Sequence, residues 1–259
     1  MATAEHRSNN AGALLDRAAA MQLNQLLSAL PPDLLERWQP RLEWLKLPLG
    51  LVLYESGDTL THVVFPSNAI VSLLYFAENG STTNLAVVGA EGLVGISAYM
   101  GGGSTPSRAV VQCAGQGFRL DAGLIRAEFN LGGLVMQLML RYTQALITQM
   151  AQTAVCNRHH SLDQQLCRWL LLSLDRTQGS ELVMTQELIS ANLGVRREGV
   201  TEAAHRLQED GVIRYARGRI QVLDRPALEA RTCECYAVVK QEYDRLLRQR
   251  QANRAGSQP

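Results

Sequence analysis

The side chains most suited to chemistry are concentrated between Met184 and Leu228, where arginines, carboxylates and a histidine recur at helical spacing. A helix from Arg196 to Asp210 would bury an apolar stripe and leave a polar face in solvent. That face carries Arg197, Glu198, Thr201, Glu202 and His205. Because such side chains donate to and accept from base edges in the major groove, the face is predicted to read DNA.

A second helix and a tight turn must position that face. Thr185 is predicted to cap a helix that begins at Gln186, and Gly194 then makes a sharp turn. The buried positions of both helices are apolar: Leu188, Ile189, Leu193, Val200, Ala204 and Leu207. This pattern predicts a helix-turn-helix.

A hairpin wing is predicted to follow the second helix. Strands from Val212 to Tyr215 and from Arg219 to Val222 are joined by Ala216-Arg217-Gly218, which presents arginines to a phosphate backbone. Residues 196–219 hold six Arg against four Asp and Glu, a net charge of +2 that favours DNA. Because a bare helix-turn-helix also occurs in proteins that never touch DNA, a ligand-binding or protein-interaction module is the alternative function.

The upstream half of the chain is predicted to be a separate, β-rich domain. Leu14 to Trp44 has helical apolar spacing, and Pro31-Pro32 opens a second helix within it. From Gly50 to Leu120, short β-branched runs alternate with turn formers at roughly ten-residue spacing. This rhythm is typical of a compact antiparallel barrel or roll.

A long helical stretch is predicted between the two parts, because Gly and Pro are almost absent from Leu131 to Leu174. Its seam advances in alternating steps of four and three through Leu131, Val135, Leu138, Tyr142, Ala145, Gln149, Gln152 and Cys156. Such a seam supports a contact between two helices in a dimer. The alternative is a helix packed on the barrel of its own chain.

Composition and charge exclude several classes of protein. The 259 residues are 46% hydrophobic and 19% charged, which suits two folded domains rather than a disordered chain. No apolar run approaches the ~20 residues that cross a bilayer, and Met1 to Asn10 lacks a signal-peptide core, so a cytoplasmic protein without membrane contact is expected. Walker, zinc-protease and nucleophile-elbow motifs are absent from the sequence, so no enzyme is expected.

The charge is unevenly distributed. Up to Cys156 the chain has 9 Lys and Arg against 11 Asp and Glu, a net of −2; from Asn157 onward the counts are 16 and 13, a net of +3. The basic residues are nearly all arginine, whose fork suits phosphate and guanine, although a GC-rich genome produces the same bias. An anionic partner is therefore predicted for the C-terminal part.

The most specific stretch runs from Thr185-Gln186-Glu187-Leu188 through Gly194-Val195-Arg196-Arg197-Glu198-Gly199-Val200 to Gly211-Val212-Ile213. With the roll and long helix before it, the chain from Leu30 to Leu228 resembles the Crp/Fnr family of bacterial transcription regulators. The resemblance implies an α+β fold: an antiparallel β-roll (a jelly-roll-like double-stranded β-helix), a long dimerisation helix and a C-terminal winged helix-turn-helix.

The resemblance also implies a division of the chain into five segments. Residues 1–20 are expected to be a flexible N-terminus, and residues 21–125 a cyclic-nucleotide-binding-like sensor roll. Residues 126–157 form the dimerisation helix, residues 158–249 the winged-helix DNA-binding domain, and residues 250–259 a flexible tail.

The family opens its recognition helix with an Arg-Glu pair, which Arg197 and Glu198 match. By resemblance, Arg197 reads a guanine and Glu198 a cytosine amino group. At two positions this sequence departs from the family: Arg196 replaces a serine, and Glu202 replaces a second basic reader. A different operator is therefore expected.

The residues implied at DNA are Thr185, Gln186, Arg196, Arg197, Glu198, Thr201, Glu202, His205, Arg217 and Arg219. The implied partners are a second copy of the chain, an inverted-repeat operator in double-stranded DNA, and RNA polymerase.

An effector site in the roll is implied by the same resemblance, but its key residues differ. The glutamate that holds the ribose of cyclic AMP falls at Ile96, which cannot accept a hydrogen bond. Arg108 lies one place later than the family arginine that holds the phosphate. The matching positions are Gly92, Gly95, Ser107 and Arg108. We therefore expect an unknown effector or none, and no response to cyclic AMP.

Other sensing groups find little support. An iron-sulfur sensor needs cysteines near the N-terminus, and the first one is Cys113. His62 is the single haem-ligand candidate in the roll. Cys156 with His159 and His160 has metal-like spacing, whereas Cys233 and Cys235 are expected on different faces of the last helix. No metal site and no cofactor are therefore predicted, and redox sensing through the thiols is left open.

Overall fold

The computed structural model describes residues 16–177 and 179–247. The predicted flexible tail, 250–259, lies outside that part of the chain, as does most of the predicted flexible segment 1–20. Helix α1 (Arg17–Leu23) begins before residue 20 and is followed by α2 (Gln25–Ala29). Every helix in the described residues is too short or too polar to cross a membrane.

The N-terminal helices end earlier than the apolar spacing predicts. Helix α3 (Pro32–Trp38) starts at the proline pair, as expected, because proline is already shaped for the first turn. The predicted helix is wrong at Trp44, which lies in strand β1 (Glu43–Leu47) and packs edge-on against Phe118 with ring centres 5.0 Å apart. Pairing with a neighbouring strand overrides the local preference.

The predicted antiparallel roll is confirmed. After β1 come β2 (Val52–Tyr54), β3 (His62–Pro66), β4 (Ile70–Phe76), β5 (Thr82–Val88), α4 (Ser97–Met100), β6 (Arg108–Cys113) and β7 (Gly115–Asp121). One sheet has the order β1-β7-β3 and the other β2-β6-β4-β5, with antiparallel pairing in both. The roll core includes the fully buried side chains of Phe65, Ile70, Leu93, Phe118 and Leu120.

The predicted long helical stretch consists of separate helices. Helix α5 (Ala122–Asn130) leads to α6 (Gly133–His159), which starts later than residue 126 because Gly132, at φ 79°, interrupts the helix. Helix α7 (Leu162–Leu174) starts afresh at Ser161, whose side chain accepts from the backbone of the third helical residue in a capping box.

Most of the α6 seam is buried within its own chain, against the roll and near the start of α11, so these residues are not free for the predicted dimer contact. Of the eight seam residues, Val135, Leu138, Tyr142, Ala145, Gln149 and Cys156 are buried within one chain. Tyr142 donates its hydroxyl to the Leu93 carbonyl at 2.7 Å, and Gln149 Nε2 donates to the Val87 carbonyl at 3.0 Å. The alternative of a helix packed on its own barrel therefore describes Tyr142 and Gln149, whereas Cys156 packs beside Cys233.

The C-terminal elements confirm the winged helix-turn-helix. They are β8 (Glu181–Val183), α8 (Gln186–Leu193), α9 (Arg197–Glu209), β9 (Ile213–Ala216), β10 (Arg219–Val222), α10 (Arg225–Arg231) and α11 (Glu234–Leu247), with sheet order β8-β10-β9. Helix α11 returns along α6, where Gln144 Nε2 donates to Glu242 Oε1 at 3.0 Å. Cys233 precedes α11, so the prediction that it lies inside the last helix is wrong.

A buried ion pair joins the roll to the C-terminal half. Arg176 Nε lies 2.7 Å from Glu91 Oε1, and the two side chains are 5% and 10% exposed. The other guanidinium nitrogens donate to the Leu172 carbonyl and to Gln149 Oε1. The guanidinium carbon lies 5.4 Å from the ring centre of Tyr243 on α11. Roll, α6, α7 and α11 therefore meet at one cation.

Arg176→Met is expected to lower the free energy of unfolding by about 3 to 5 kcal/mol, because it leaves the Glu91 carboxylate buried without its partner. Urea denaturation followed by tryptophan fluorescence measures the loss. The control, Arg119→Gln, breaks an exposed pair with Glu43 and should cost less than about 1 kcal/mol. Equal losses in both variants would contradict the role given to the buried pair.

Candidate nucleic-acid interface

Helix α8 and the turn after it follow the local signals in the sequence. Thr185 Oγ1 accepts from the Leu188 backbone N–H at 3.2 Å, which satisfies a free donor of the first turn. Gly194 ends the helix at φ 66°, a left-handed conformation that glycine adopts without strain. Ile189 is fully buried beneath the helix. The predicted cap and turn are thus confirmed.

Helix α9 has one buried and one exposed face. Val200, Ala203, Ala204 and Leu207 are buried, while the five predicted readers Arg197, Glu198, Thr201, Glu202 and His205 are all exposed. Gly199 lies at a close approach of α7, because a Cβ there would be 2.9 Å from Leu162 Cδ2. The polar face therefore remains open to solvent while the helix packs tightly beneath.

The wing is a tight hairpin with an arginine at its tip. Arg217, at φ 51°, and Gly218, at φ 73°, form the two-residue connection between β9 and β10. Positive φ at both central residues matches the twist of the flanking strands. Arg217 is exposed, whereas Arg219 pairs with Glu181 of β8 at 2.5 Å.

A groove of about 340 Å³ separates the wing from the helix-turn-helix. Its lining includes Thr185, Gln186, Glu187, Arg197, Tyr215 and Arg217, so four of the predicted DNA-contacting residues meet at one place. Tyr215 donates its hydroxyl to the Met184 carbonyl at 3.1 Å, and burial raises the pKa of this phenol. The other predicted residues lie outside the groove lining; they are Arg196, Glu198, Thr201, Glu202, His205 and Arg219.

Arg197 is held over the groove by residues of α8. Its Nη1 lies 2.6 Å from Glu187 Oε1, and its Nε donates to Gln186 Oε1 at 3.3 Å. Sequence reasoning missed Glu187, although its place in the first turn of α8 was a signal that it faces the start of α9. Because an exposed ion pair contributes at most about 1 kcal/mol, a DNA base or phosphate can displace Glu187.

Helix α8 is docked on the roll through a buried polar contact that sequence reasoning also missed. Asn192 Oδ1 accepts from Asn84 Nδ2 of β5 and from Ser72 Oγ of β4. Thr82 Oγ1 donates to the Ala191 carbonyl at 3.1 Å. Since buried polar groups need partners, this contact sets where α8 lies on β5.

Of the predicted effector residues, Gly92, Ser107 and Arg108 are engaged in contacts within the chain, and Gly95 has a φ of 105°, which glycine adopts without strain. A Cβ on Gly92 would lie 2.3 Å from the Tyr142 ring, so this glycine serves the packing of α6 on the roll. Ser107 is buried and shares a 3.0 Å hydrogen bond with Thr105. Arg108 pairs with Glu55 at 3.0 Å.

The roll contains a cavity of about 430 Å³ that is separate from the predicted effector residues. Its lining includes Leu53, Tyr54, His62, Val94 and Arg119, and none of the four predicted effector residues lines it.

Comparisons with known proteins agree with the helix-turn-helix described above. Residues 164–231 match the model of the Crp-like helix-turn-helix domain. Comparison with curated protein sequences gives no significant match.

Solved structures of the same fold include FixK2 from Bradyrhizobium japonicum, with a TM-score of 0.63, 14% identity and coverage of 74% of this chain and 98% of that one. A transcriptional regulator of the CRP family from Thermus thermophilus has a TM-score of 0.61 and 16% identity, over 72% of this chain and 95% of that one. The c-di-GMP-responsive global regulator CLP from Xanthomonas campestris has a TM-score of 0.58 and 12% identity, over 75% and 100%. The resemblance seen in the sequence is confirmed: the chain carries a Crp-like helix-turn-helix domain within the fold of the Crp/Fnr regulators.

Proposed function

We propose that the protein is a DNA-binding transcription regulator of the Crp/Fnr type. The observation that carries the proposal is the exposed polar face of α9 beside a groove that Arg197 and the wing arginine Arg217 both line. A recognition helix flanked by an arginine-bearing wing provides base contacts and backbone contacts together. This function requires no enzymatic activity. A protein that acts on the bacterial chromosome is expected in the cytoplasm.

Base reading is assigned to the first turns of α9. On binding, the Arg197 guanidinium leaves the Glu187 carboxylate and donates to the two acceptors of a guanine. Glu198 accepts from a cytosine amino group. Thr185 and Gln186 lie at the N-terminus of α8, where backbone N–H groups and the helix dipole favour a phosphate. Further along α9, Thr201, Glu202 and His205 form the rest of the reading face.

The backbone contacts are assigned to the remaining arginines. Arg217 at the wing tip, Arg219 on β10 and Arg196 before α9 approach phosphates on either side of the groove. Arg219 must first leave Glu181, and this exchange is inexpensive between exposed side chains.

Dimerisation is assigned to the outer face of α6, not to the predicted seam. Leu140 and Ile147 are 47% and 54% exposed, and Ala154 continues their seven-residue spacing. Such spacing suits the pairing of two copies along α6. Two-fold symmetry then places the recognition helices about 34 Å apart, in successive major grooves of an inverted repeat. RNA polymerase is the proposed downstream partner of the bound dimer.

Cyclic AMP is excluded from the proposed regulation. Ile96 offers no acceptor for a ribose hydroxyl. Arg108 lies one place later than the family arginine that holds the phosphate; it pairs with Glu55 and lies over the Phe76 ring at 5.4 Å. A different small molecule or no effector remains within the proposal, with Gly92 serving the packing of α6 and Ser107 the hydrogen bond to Thr105.

Arg197→Ala should cost about 1 to 3 kcal/mol of specific binding and relax the preference at one base pair per half-site. Arg217→Ala should weaken binding to specific and random DNA alike, because a phosphate contact carries no sequence information. Selection from random DNA followed by fluorescence anisotropy at several salt concentrations measures both effects. Arg245→Ala on α11 is the matched control and should leave binding unchanged. A wild-type protein that selects no inverted repeat would overturn the proposed function in favour of a protein-interaction module.

Ile147→Glu should yield monomers at micromolar concentration, because the two-fold axis brings the introduced carboxylates together in an apolar contact. Sedimentation velocity reports the change. Leu223→Glu adds the same charge at an exposed apolar residue outside α6 and should remain dimeric. A dimeric Ile147→Glu protein would rule out this face as the interface.

Cyclic AMP and cyclic GMP are expected to produce no heat in calorimetric titration and no rise in melting temperature. A ligand of the native state raises that temperature by mass action, so the two measurements check each other. Micromolar affinity for either nucleotide would show that the roll accommodates it despite Ile96 and the Arg108–Glu55 pair.

A further inference from the structure

Three cysteines and one histidine from separate segments converge where α6 ends and α11 begins. Cys156 lies in the last turns of α6, His160 directly follows that helix, and Cys233 and Cys235 flank the first residue of α11. Their sulfur and ring-nitrogen atoms all lie within 4.8 Å of one another. The three cysteines form a buried cluster separate from the main hydrophobic core.

The separations fit a tetrahedral metal site. Zinc bonds of about 2.3 Å to sulfur and about 2.0 Å to nitrogen place neighbouring ligand atoms roughly 3.5 to 3.8 Å apart. Cys156 Sγ lies 3.6 Å from Cys233 Sγ, and Cys235 Sγ lies 3.6 Å from His160 Nδ1. A disulfide would require sulfur atoms about 2.05 Å apart, and all five cysteines, which lie within the described residues, are free.

We propose that Cys156, His160, Cys233 and Cys235 bind one zinc ion in a closed Cys3His site. Structural zinc sites commonly use this ligand set, with no position open to substrate. The site lies apart from the DNA-binding face, and the proposal does not depend on DNA binding.

The surroundings of His160 are those of a metal ligand. Its Nε2 lies 3.3 Å from Glu234 Oε1, while Nδ1 faces Cys235 Sγ. A proton on Nε2, shared with the carboxylate, leaves the Nδ1 lone pair directed at the cluster, as in carboxylate–histidine–zinc arrangements. Gln165 Nε2 donates to the carbonyls of His160 and Cys156 at 3.0 and 3.4 Å, which holds the bend between α6 and α7.

The charge of the site is balanced by a buried arginine. Three thiolates and a divalent cation leave one negative charge. Arg168 is 6% exposed and lies close to the cluster: burial lowers its pKa, and the three cysteines partly offset that effect. Arg168 Nη2 donates to Thr153 Oγ1 at 3.0 Å, and within the described residues its buried Nε has no hydrogen-bond partner.

Protons must leave when the cation enters. Burial raises the pKa of Cys156 to about 12 and that of Cys235 to about 11, so both are neutral thiols at pH 7 in the free protein. Binding forms three zinc–sulfur bonds and one zinc–nitrogen bond and releases the thiol protons to solvent. The loaded site clamps the start of α11 to the end of α6.

The test uses the full-length protein, reduced, stripped with a chelator and titrated with Co²⁺ and then Zn²⁺. We expect one equivalent of Co²⁺ with thiolate charge-transfer and tetrahedral d–d absorption, displaced stoichiometrically by Zn²⁺. Because the wild-type chain is used, this result does not depend on whether a variant folds. The proposal is overturned if the protein does not bind one equivalent of metal ion. It is also overturned if Cys156 and Cys233 form a disulfide and the protein then does not bind the ion.

Variants identify the ligands. Cys156→Ser and Cys233→Ser should each weaken zinc binding more than 100-fold, whereas Glu234→Gln should weaken it about 10- to 100-fold with the stoichiometry retained, as for a residue that orients a ligand. Cys113→Ala removes a buried thiol of the roll outside the cluster and should leave the affinity unchanged. Equal losses in Cys113→Ala and Cys156→Ser would assign the metal to other ligands and contradict the site.

Discussion

The ion pair between Arg176 and Glu91 is the constraint on which the arrangement of this molecule depends. A charge withdrawn from water is tolerable only when its hydrogen bonds are satisfied, and the Arg176 guanidinium finds its partners on three different parts of the chain. The roll supplies Glu91, α6 supplies Gln149, and α11 supplies the ring of Tyr243. Because separating Arg176 from Glu91 would leave a buried charge unpaired, the C-terminal half has a defined place on the roll.

That placement determines how the helix-turn-helix is presented. The contact of Asn192 with Asn84 and Ser72 adds a second anchor on the roll side of α8, while the polar face of α9 stays in solvent. Arg197 of this face is pre-positioned by Glu187, an exposed partner that holds the guanidinium in place at little energetic cost. Rigid burial on one side and exchangeable pairing on the other are what a reading surface requires.

The two faces of the long helix α6 have different environments. Its inner face carries Tyr142 and Gln149 into the roll, and its outer face leaves Leu140 and Ile147 exposed. At the C-terminal end of α6, Cys156 and His160 lie against Cys233 and Cys235, so the end of this helix contacts the start of α11. Buried thiols with raised pKa values are poor nucleophiles, so free thiol chemistry is disfavoured at this place.

The sequence by itself determined the features that local chemistry controls. The Thr185 cap, the Gly194 turn and the Arg217-Gly218 hairpin depend on residues within a few positions of one another, and the rhythm of turn formers was enough to predict the roll. Only the tertiary structure decided which apolar face of α6 is buried, because periodicity shows that a face exists but not what covers it. It also decided that Trp44 joins a sheet. The metal-like cluster combines residues 77 positions apart in the chain, and no local pattern encodes a contact at that separation.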